Sequence, residues 1–343
     1  MTGSSGLKVL GIETSCDECS ASVVEDGRKI LSNVVATQLE QHRPFYGVVP
    51  EIASRIHIQW ISAVVKEALK EASVTVDDLD GIGVTNRPGL LGSLLVGVNF
   101  AKALSATLNI PIVAVDHIKA HLHASQIESP LEYPYLGLLV SGGHTIICKV
   151  NDFDDMEVLG TTIDDAIGEA FDKVAKHYNL GYPGGLAIDK LAQKGNQKAF
   201  LFPGSKLDKG NHVYDVSYSG LKTAVINQLD LFWDKKSDKS AENIAASFQR
   251  SAVGMIVKRV KRALKEEGFS RLAVGGGVGA NSLLRKELKA IKNIELAIPS
   301  MKLCTDNAAM IGSLAYHYIK SNRVDDLNFS SSPRVAEFKK SYP

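Results

Sequence analysis

His117 and His121 stand four residues apart behind Asp116, a residue able to cap the helix they begin. At that spacing both imidazoles fall on one helix face, with Cβ atoms about 5–6 Å apart, which suits a metal ion. A pair so placed occurs as often without a metal, so a third donor matters. Asp306, in Cys304-Thr305-Asp306-Asn307 at the predicted start of the last helix, offers a hard oxygen or else caps that helix. Two imidazoles and one carboxylate leave coordination positions open, as a catalytic divalent metal requires. His123 falls on another face and is set aside.

Three turns offer a second chemistry. Glu13-Thr14-Ser15-Cys16-Asp17-Glu18 presents backbone amides and the Ser15 hydroxyl to an anion, and Ser141-Gly142-Gly143-His144-Thr145 does so with two glycines. Glycine lets backbone N–H groups approach phosphate oxygens, but either turn alone reads more readily as a plain hairpin. Gly275-Gly276-Gly277-Val278-Gly279-Ala280-Asn281 leaves a strand for a helix. Its glycine run is costly in chain entropy, which predicts close approach of an adenosine at Gly276 and Gly277 with Asn281 adding hydrogen bonds. A structural turn is the alternative, and the position far along the chain excludes the dinucleotide fingerprint. Asp17 is a candidate general base or a turn-capping aspartate.

These residues need a scaffold. Strands are predicted at 7–12, 20–25 and 29–36, then a helix over 50–72, a strand over 81–85, a helix over 90–108, a strand over 110–115 and a helix from His117. A second three-strand meander (135–140, 145–150, 157–163) begins the same order again. Helices follow, then strand 271–274, helix 281–290, strand 294–298 and a last helix over 306–320. This duplication predicts the α/β actin/Hsp70/sugar-kinase (ASKHA) ATPase fold. One domain spans 7–134, completed by 306–320; the other spans 135–305, with an insertion around 193–240. In that fold the hairpin turns converge on nucleotide phosphates across a cleft.

The 343 residues exceed one comfortable core, in agreement with two domains. Apolar residues at 45% and charged residues at 22% describe an ordinary folded protein. The longest apolar stretch, 89–101, is too short to span a bilayer, so no membrane partner is expected. A net charge of +1 gives no general attraction to RNA, leaving a local stripe, Lys258, Arg259, Lys261, Arg262 and Lys265, or else a solvated helix face. Cys16 and Cys19 lack a second pair for zinc, and four cysteines do not make a disulfide framework.

At these residues the chain resembles the tRNA threonylcarbamoyladenosine transferase family, once labelled O-sialoglycoprotein endopeptidases. The likeness runs from Gly11-Ile12-Glu13-Thr14-Ser15-Cys16-Asp17 through Val49-Pro50-Glu51-Ile52-Ala53-Ser54-Arg55, His117-Ile118-Lys119-Ala120-His121 and Leu139-Val140-Ser141-Gly142-Gly143-His144-Thr145. It continues at Phe171-Asp172-Lys173, Tyr182-Pro183-Gly184-Gly185 and Ser217-Tyr218-Ser219-Gly220-Leu221-Lys222. It implies one metal per subunit, iron or zinc, on His117, His121 and Asp306. It also implies that Leu139, Val140, Ser141, Gly142, Gly143, Asp172, Gly185, Asp189 and Asn281 hold threonylcarbamoyl-AMP, with AMP and ATP as related ligands.

The implied reaction moves the threonylcarbamoyl group from an adenylate, made by a separate synthase, to the N6 amine of adenosine 37 in tRNA. The branch implied by Leu139 and His144 is the bacterial and mitochondrial one. The 230–240 segment points to the mitochondrial stand-alone member, in the matrix, acting as a homodimer; the bacterial cytoplasm is the alternative. Residues 1–6 read as a processed end. A small-molecule kinase of the same fold and a metalloprotease compete with this reading, as does a nucleotide-binding subunit without turnover. The kinase has no need of His117 and His121, and the protease lacks a glutamate beside the first histidine, where Ile118 stands.

Overall fold

The structure, a computed structural model, describes residues 6–204, 207 and 209–334. Residues 1–5 of the expected processed end, and 205, 206 and 208 of the expected insertion, lie outside the described residues. The described chain divides into two compact units, residues 6–130 with 299–334 and residues 131–298.

In unit one, β1 (Lys8–Glu13), β2 (Glu18–Glu25) and β3 (Lys29–Thr37) form an antiparallel meander. Helices α1 (Leu39–His42) and α2 (Pro50–Ala72) follow, then β4 (Gly81–Arg87), α3 (Leu91–Leu108), β5 (Ile112–Asp116) and α4 (His117–Glu128). β4 and β5 join in parallel, giving the order β3-β2-β1-β4-β5. α2 starts on Pro50, whose missing N–H is one that a helix start leaves unbonded, and ends at Ser73 with φ 56°. Its buried residues, Ala53, His57, Ile61, Val64, Val65, Ala68 and Leu69, make one stripe against β2 and β3. α3 is longer than the apolar run expected at 89–101; at 18 residues and mean hydropathy 1.4 it could cross a bilayer by length and composition. In this fold it packs on α2 and β4, burying Leu94, Val98 and Ala101.

Unit two begins with a matching meander, β6 (Tyr135–Val140), β7 (Thr145–Val150) and β8 (Met156–Thr161). Then come α5 (Ile167–His177), α6 (Gly184–Ala192), α7 (Ser219–Asn227), α8 (Ala241–Glu266), β9 (Arg271–Gly275), α9 (Ser282–Lys289) and β10 (Glu295–Ala297). The strand order is β10-β9-β6-β7-β8. The segment expected as an insertion is part of the core: Phe200, Phe202, Tyr214, Val216 and Tyr218 pack with Phe171, Phe248 and Val253. Apart from α7 it carries little regular helix or strand, so hydrophobic periodicity had little to reveal there. Arg259, expected in a surface stripe, is instead 1% exposed, and its Nε donates to the Asp215 carbonyl at 2.9 Å. Arg262 pairs with Glu266, leaving Lys258, Lys261 and Lys265 on the exposed face of α8.

The chain then returns to unit one through α10 (Met301–Cys304) and α11 (Ala308–Lys320). α11 lies against β1 and β4 at backbone distance. A Cβ on Gly11 would stand 2.1 Å from the Ala308 carbonyl and 2.5 Å from the Gly312 nitrogen, so this approach requires glycine on both elements. The helix is capped by Asn307, whose Oδ1 accepts from Met310 N at 3.2 Å, and Ala308 N donates to Ser20 Oγ at 2.9 Å. Asp306 is therefore not the cap, and the capping alternative for it falls away.

Candidate metal and nucleotide sites

In unit one, β5 delivers the chain to α4, and Asp116 caps it by accepting from Ile118 N at 2.9 Å and Lys119 N at 3.2 Å. The cap fixes the first turn, which carries His117, and one turn later His121 lies beneath it, ring centroids 4.4 Å apart. The tight seat of α11 on β1 brings Asp306 to the same spot. Asp306 Oδ1 is 3.0 Å from His121 Nε2 and 3.6 Å from His117 Nε2. All three donor atoms lie within 4.8 Å of one another. His121 is 1% exposed, and its Nδ1 is buried without a hydrogen-bond partner, so Nε2 carries its polar work. Two neutral nitrogens and a carboxylate oxygen fit a divalent transition ion with room for substrate oxygens.

Glu13, the last residue of β1, sits behind this group. It is 0% exposed; Oε2 takes His117 Nδ1 at 3.0 Å and Thr85 Oγ1 at 2.6 Å, and Oε1 takes Ser15 N at 2.6 Å. The Glu13 carboxylate keeps a proton on Nδ1, so it is Nε2, the nitrogen facing Asp306, that gives up its proton to become a ligand. Burial alone would lower the His117 pKa, but the Glu13 and Asp306 carboxylates outweigh it and raise it to about 9. Burial would raise Glu13, yet His117 turns the balance and holds it below its ordinary value. His121 is lowered by burial and by His117, and burial takes His123 to about 3, its Nε2 on Ser313 Oγ.

Ser15, expected to present its hydroxyl to an anion, is instead buried beside this group, with Oγ 3.2 Å from His117 Nδ1. Asp17 lies half-buried farther along the turn, its carboxyl against Cys16 and Glu18. Cys19 is buried in β2 and Cys16 is a free thiol raised by burial and by Asp17, so neither offers a thiolate.

In unit two the sequence-predicted residues gather in three places. Leu139 and Val140 are buried in β6, so only their backbone could reach a ligand. Beyond them Ser141 N bonds the His144 carbonyl at 2.8 Å and Ser141 Oγ accepts from His144 N at 3.0 Å, closing a turn on which Gly142 and Gly143 stand exposed. A Cβ on either would meet nothing within 4 Å. At the second place Asp172 on α5 accepts from Gly184 N at 2.8 Å and from Gly185 N, serving as cap for α6, whose own N-cap residue is Pro183. Burial keeps the Asp172 carboxyl above its ordinary value.

The third place joins Asp189 on α6 to Asn281, which caps α9 through Leu284 N at 3.0 Å. Gln249 on α8 links the two, 3.0 Å from each. The glycine run behaves differently from expectation at Gly276: its φ is 90°, and a Cβ there would strike the Val140 carbonyl at 2.4 Å. That glycine serves packing against β6. Glu13 and Gln249 were missed from sequence because their partners are 104 and 60 residues away.

The family model described as TsaD, tRNA N6-adenosine threonylcarbamoyltransferase, matches residues 29–313. A protein of that name from Treponema denticola is 59% identical over 334 residues, 97% of this chain and 99% of that one. Another from Borrelia hermsii is 50% identical over 331 residues, 96% of this chain and 97% of that one. These relatives are bacterial, which agrees with the bacterial alternative and gives the mitochondrial expectation no support. Among solved structures, component A of (R)-2-hydroxyglutaryl-CoA dehydratase from Acidaminococcus fermentans aligns with TM-score 0.55 at 15% identity, covering 92% of this chain and 99% of that one. HypF of T. kodakarensis aligns with TM-score 0.61 at 16% identity, covering 92% of this chain and 48% of that one. At such identity the likeness is one of fold, the actin/Hsp70/sugar-kinase type that the duplicated pattern predicts. Matched by the family model over most of its length and by relatives at half identity or more, the chain belongs to the TsaD family of tRNA N6-adenosine threonylcarbamoyltransferases.

Proposed function

We propose that this chain transfers the threonylcarbamoyl group of threonylcarbamoyl-AMP to the exocyclic N6 amine of adenosine 37 in tRNA. The observation that carries the reading is the convergence of His117, His121 and Asp306, backed by a fully buried carboxylate. A phosphoryl-transferring kinase of this fold needs no such group. A peptidase would need a base open to water, and Glu13 is sealed in and bonded on both oxygens.

The attacking nitrogen of adenine is a weak nucleophile, so orientation and polarisation of the acyl carbonyl supply most of the acceleration. His117, His121 and Asp306 would hold a divalent ion, which would supply Lewis acidity and a fixed template. Glu13 keeps His117 in the ligating tautomer. The exposed amides of Gly142 and Gly143, with Asp172, Gly185, Asp189 and Asn281, hold the adenylate. The N6–carbonyl bond forms, the carbonyl–phosphate oxygen bond breaks, AMP leaves with the electron pair, and the N6 proton is lost. Asp17, half-buried on the first turn, is the candidate to accept that proton.

The adenylate comes from a separate synthase, and Lys258, Lys261 and Lys265 meet the RNA backbone. A second copy of the chain would double that stripe, so a homodimer belongs to this reading, as does a bacterial cytoplasm. Zinc and iron both suit the donors. The test supplies purified chain with threonylcarbamoyl-AMP and tRNA and examines nucleosides by mass spectrometry. Threonylcarbamoyladenosine with equimolar AMP is expected; a phosphorylated small molecule from ATP instead would establish the kinase.

A further inference from the structure

Gln249 lies on the inward face of α8, 3% exposed, between two residues assigned to the nucleotide. The direction of its bonds is fixed from outside. The Leu284 backbone N–H can only donate, and it donates to Asn281 Oδ1 at 3.0 Å, which turns Nδ2 to the other side. Nδ2 then donates to Gln249 Oε1 at 3.0 Å, which turns Nε2 toward Asp189 Oδ1, also at 3.0 Å. A one-way relay thus runs from the start of α9, through α8, to a carboxylate on α6.

Asp189 receives two further bonds, from Ser282 Oγ to Oδ1 at 2.7 Å and from Ser282 N to Oδ2 at 3.1 Å. A carboxylate has about four lone-pair directions, so three donors leave one, on Oδ2. The chemistry at position 249 is narrow. An apolar side chain would strand two polar partners, a carboxylate would face Asp189 with like charge, and a lysine could not accept from Asn281. A primary amide of this length both donates and accepts.

We infer that Gln249 is the positioning residue of the nucleoside subsite, locking Asp189 and Asn281 into one unit. The open Oδ2 direction then accepts a hydroxyl or amine hydrogen of the nucleoside, and the second Asn281 Nδ2 hydrogen donates to it. This rests on the adenylate reading of unit two. Gln249 does not touch the reacting atoms and acts through its two neighbours.

The experiment measures AMP affinity by calorimetry, and kinetics with adenylate and tRNA, for the wild type, Gln249→Met and Gln249→Glu. Both variants should weaken AMP and raise the adenylate KM by about tenfold, the effect of losing hydrogen bonds to a charged group. Values of kcat, the tRNA KM and metal content should stay near wild type. Gln249→Glu keeps the shape and the accepting oxygen, so it carries the test if Gln249→Met does not fold. A folded Gln249→Glu protein with AMP affinity within about twofold of wild type overturns the inference. So does a parallel rise in both KM values with a lowered melting temperature, which is the signature of general packing. Wild-type protein that binds no AMP would sink the adenylate reading itself, before any substitution is made.

Discussion

The first turn of unit one is closed on itself. Thr14 Oγ1 donates to the Ser93 carbonyl at 2.9 Å, the Ser15 carbonyl takes Leu90 N at 2.8 Å, and Cβ atoms on Gly89 and Gly97 would strike the turn at 2.5 and 2.3 Å. The matching turn of unit two is open: Gly142 and Gly143 are exposed, with empty space where side chains would stand. One meander thus serves two purposes. In unit one, charged side chains with buried partners hold the donor set, whereas in unit two the residues proposed for the nucleotide are exposed backbone amides and carboxylates tied into helix caps and an amide relay. Metal coordination tolerates little movement of its ligands, while an anion needs only close approach.

Breaking the donor set should have the largest effect. His121→Ala is expected to lower metal affinity by more than about a hundredfold and abolish transfer with the fold kept, since a catalytic ion is no core staple. Asp306→Asn should behave similarly in direction, and now without any cap to preserve. Metal content by mass spectrometry after dialysis decides; full retention would remove these residues from the site.

Glycine substitutions sharpen the contrast. Gly11→Ala puts a Cβ 2.1 Å from a backbone oxygen, so a loss of roughly 2–4 kcal/mol is expected in urea unfolding, the range of overpacking and backbone shift. Gly143→Ala should leave stability within about 0.5 kcal/mol, because nothing lies within 4 Å, yet weaken AMP by crowding the open turn. Equal destabilisation by the two would erase the contrast between the crowded backbone of unit one and the open turn of unit two.

Acidity offers the third separation. His117 stands at about 9 in the folded, metal-free chain against 6.5 ordinarily. A raised imidazole stabilises fully below 6.5 and loses that contribution as pH climbs toward 9, about 3 kcal/mol at most for such a shift. Chelator-treated protein should therefore lose stability over this window, and His117→Gln should flatten the loss. With metal present the sign reverses, since the ion competes with the proton. The smallest change belongs to Glu13→Gln, which still bonds Nδ1 but without charge: metal affinity should fall about tenfold, the usual weight of an outer partner.

Much of unit one was legible because its signals are local. The pair at 117 and 121 and the cap at 116 lie within six positions, and the long helix from Pro50 keeps its apolar stripe for its whole length. Glu13 read as part of a turn because its partners, Thr85 and His117, reach it only through the sheet. Asp306 and Asn307 are neighbours that cap equally well, and Ala308 bonding to Ser20, 288 residues away, decides where the helix starts. Arg259 shows the limit of charge as a guide: helical phase turns it inward, where the Asp215 carbonyl receives it.

The seat of the last helix on β1 also bears on synthesis. His121 and Asp306 are 185 residues apart, and all of unit two is made between them. A ribosome therefore exposes β1 with Gly11 uncovered, and α4 with two adjacent imidazoles, well before the helix that covers them exists. Metal capture in the complete arrangement must wait for the return of the chain. Loading of the proposed metal is thus expected late in the maturation of unit one, after β1 and the last helix have met.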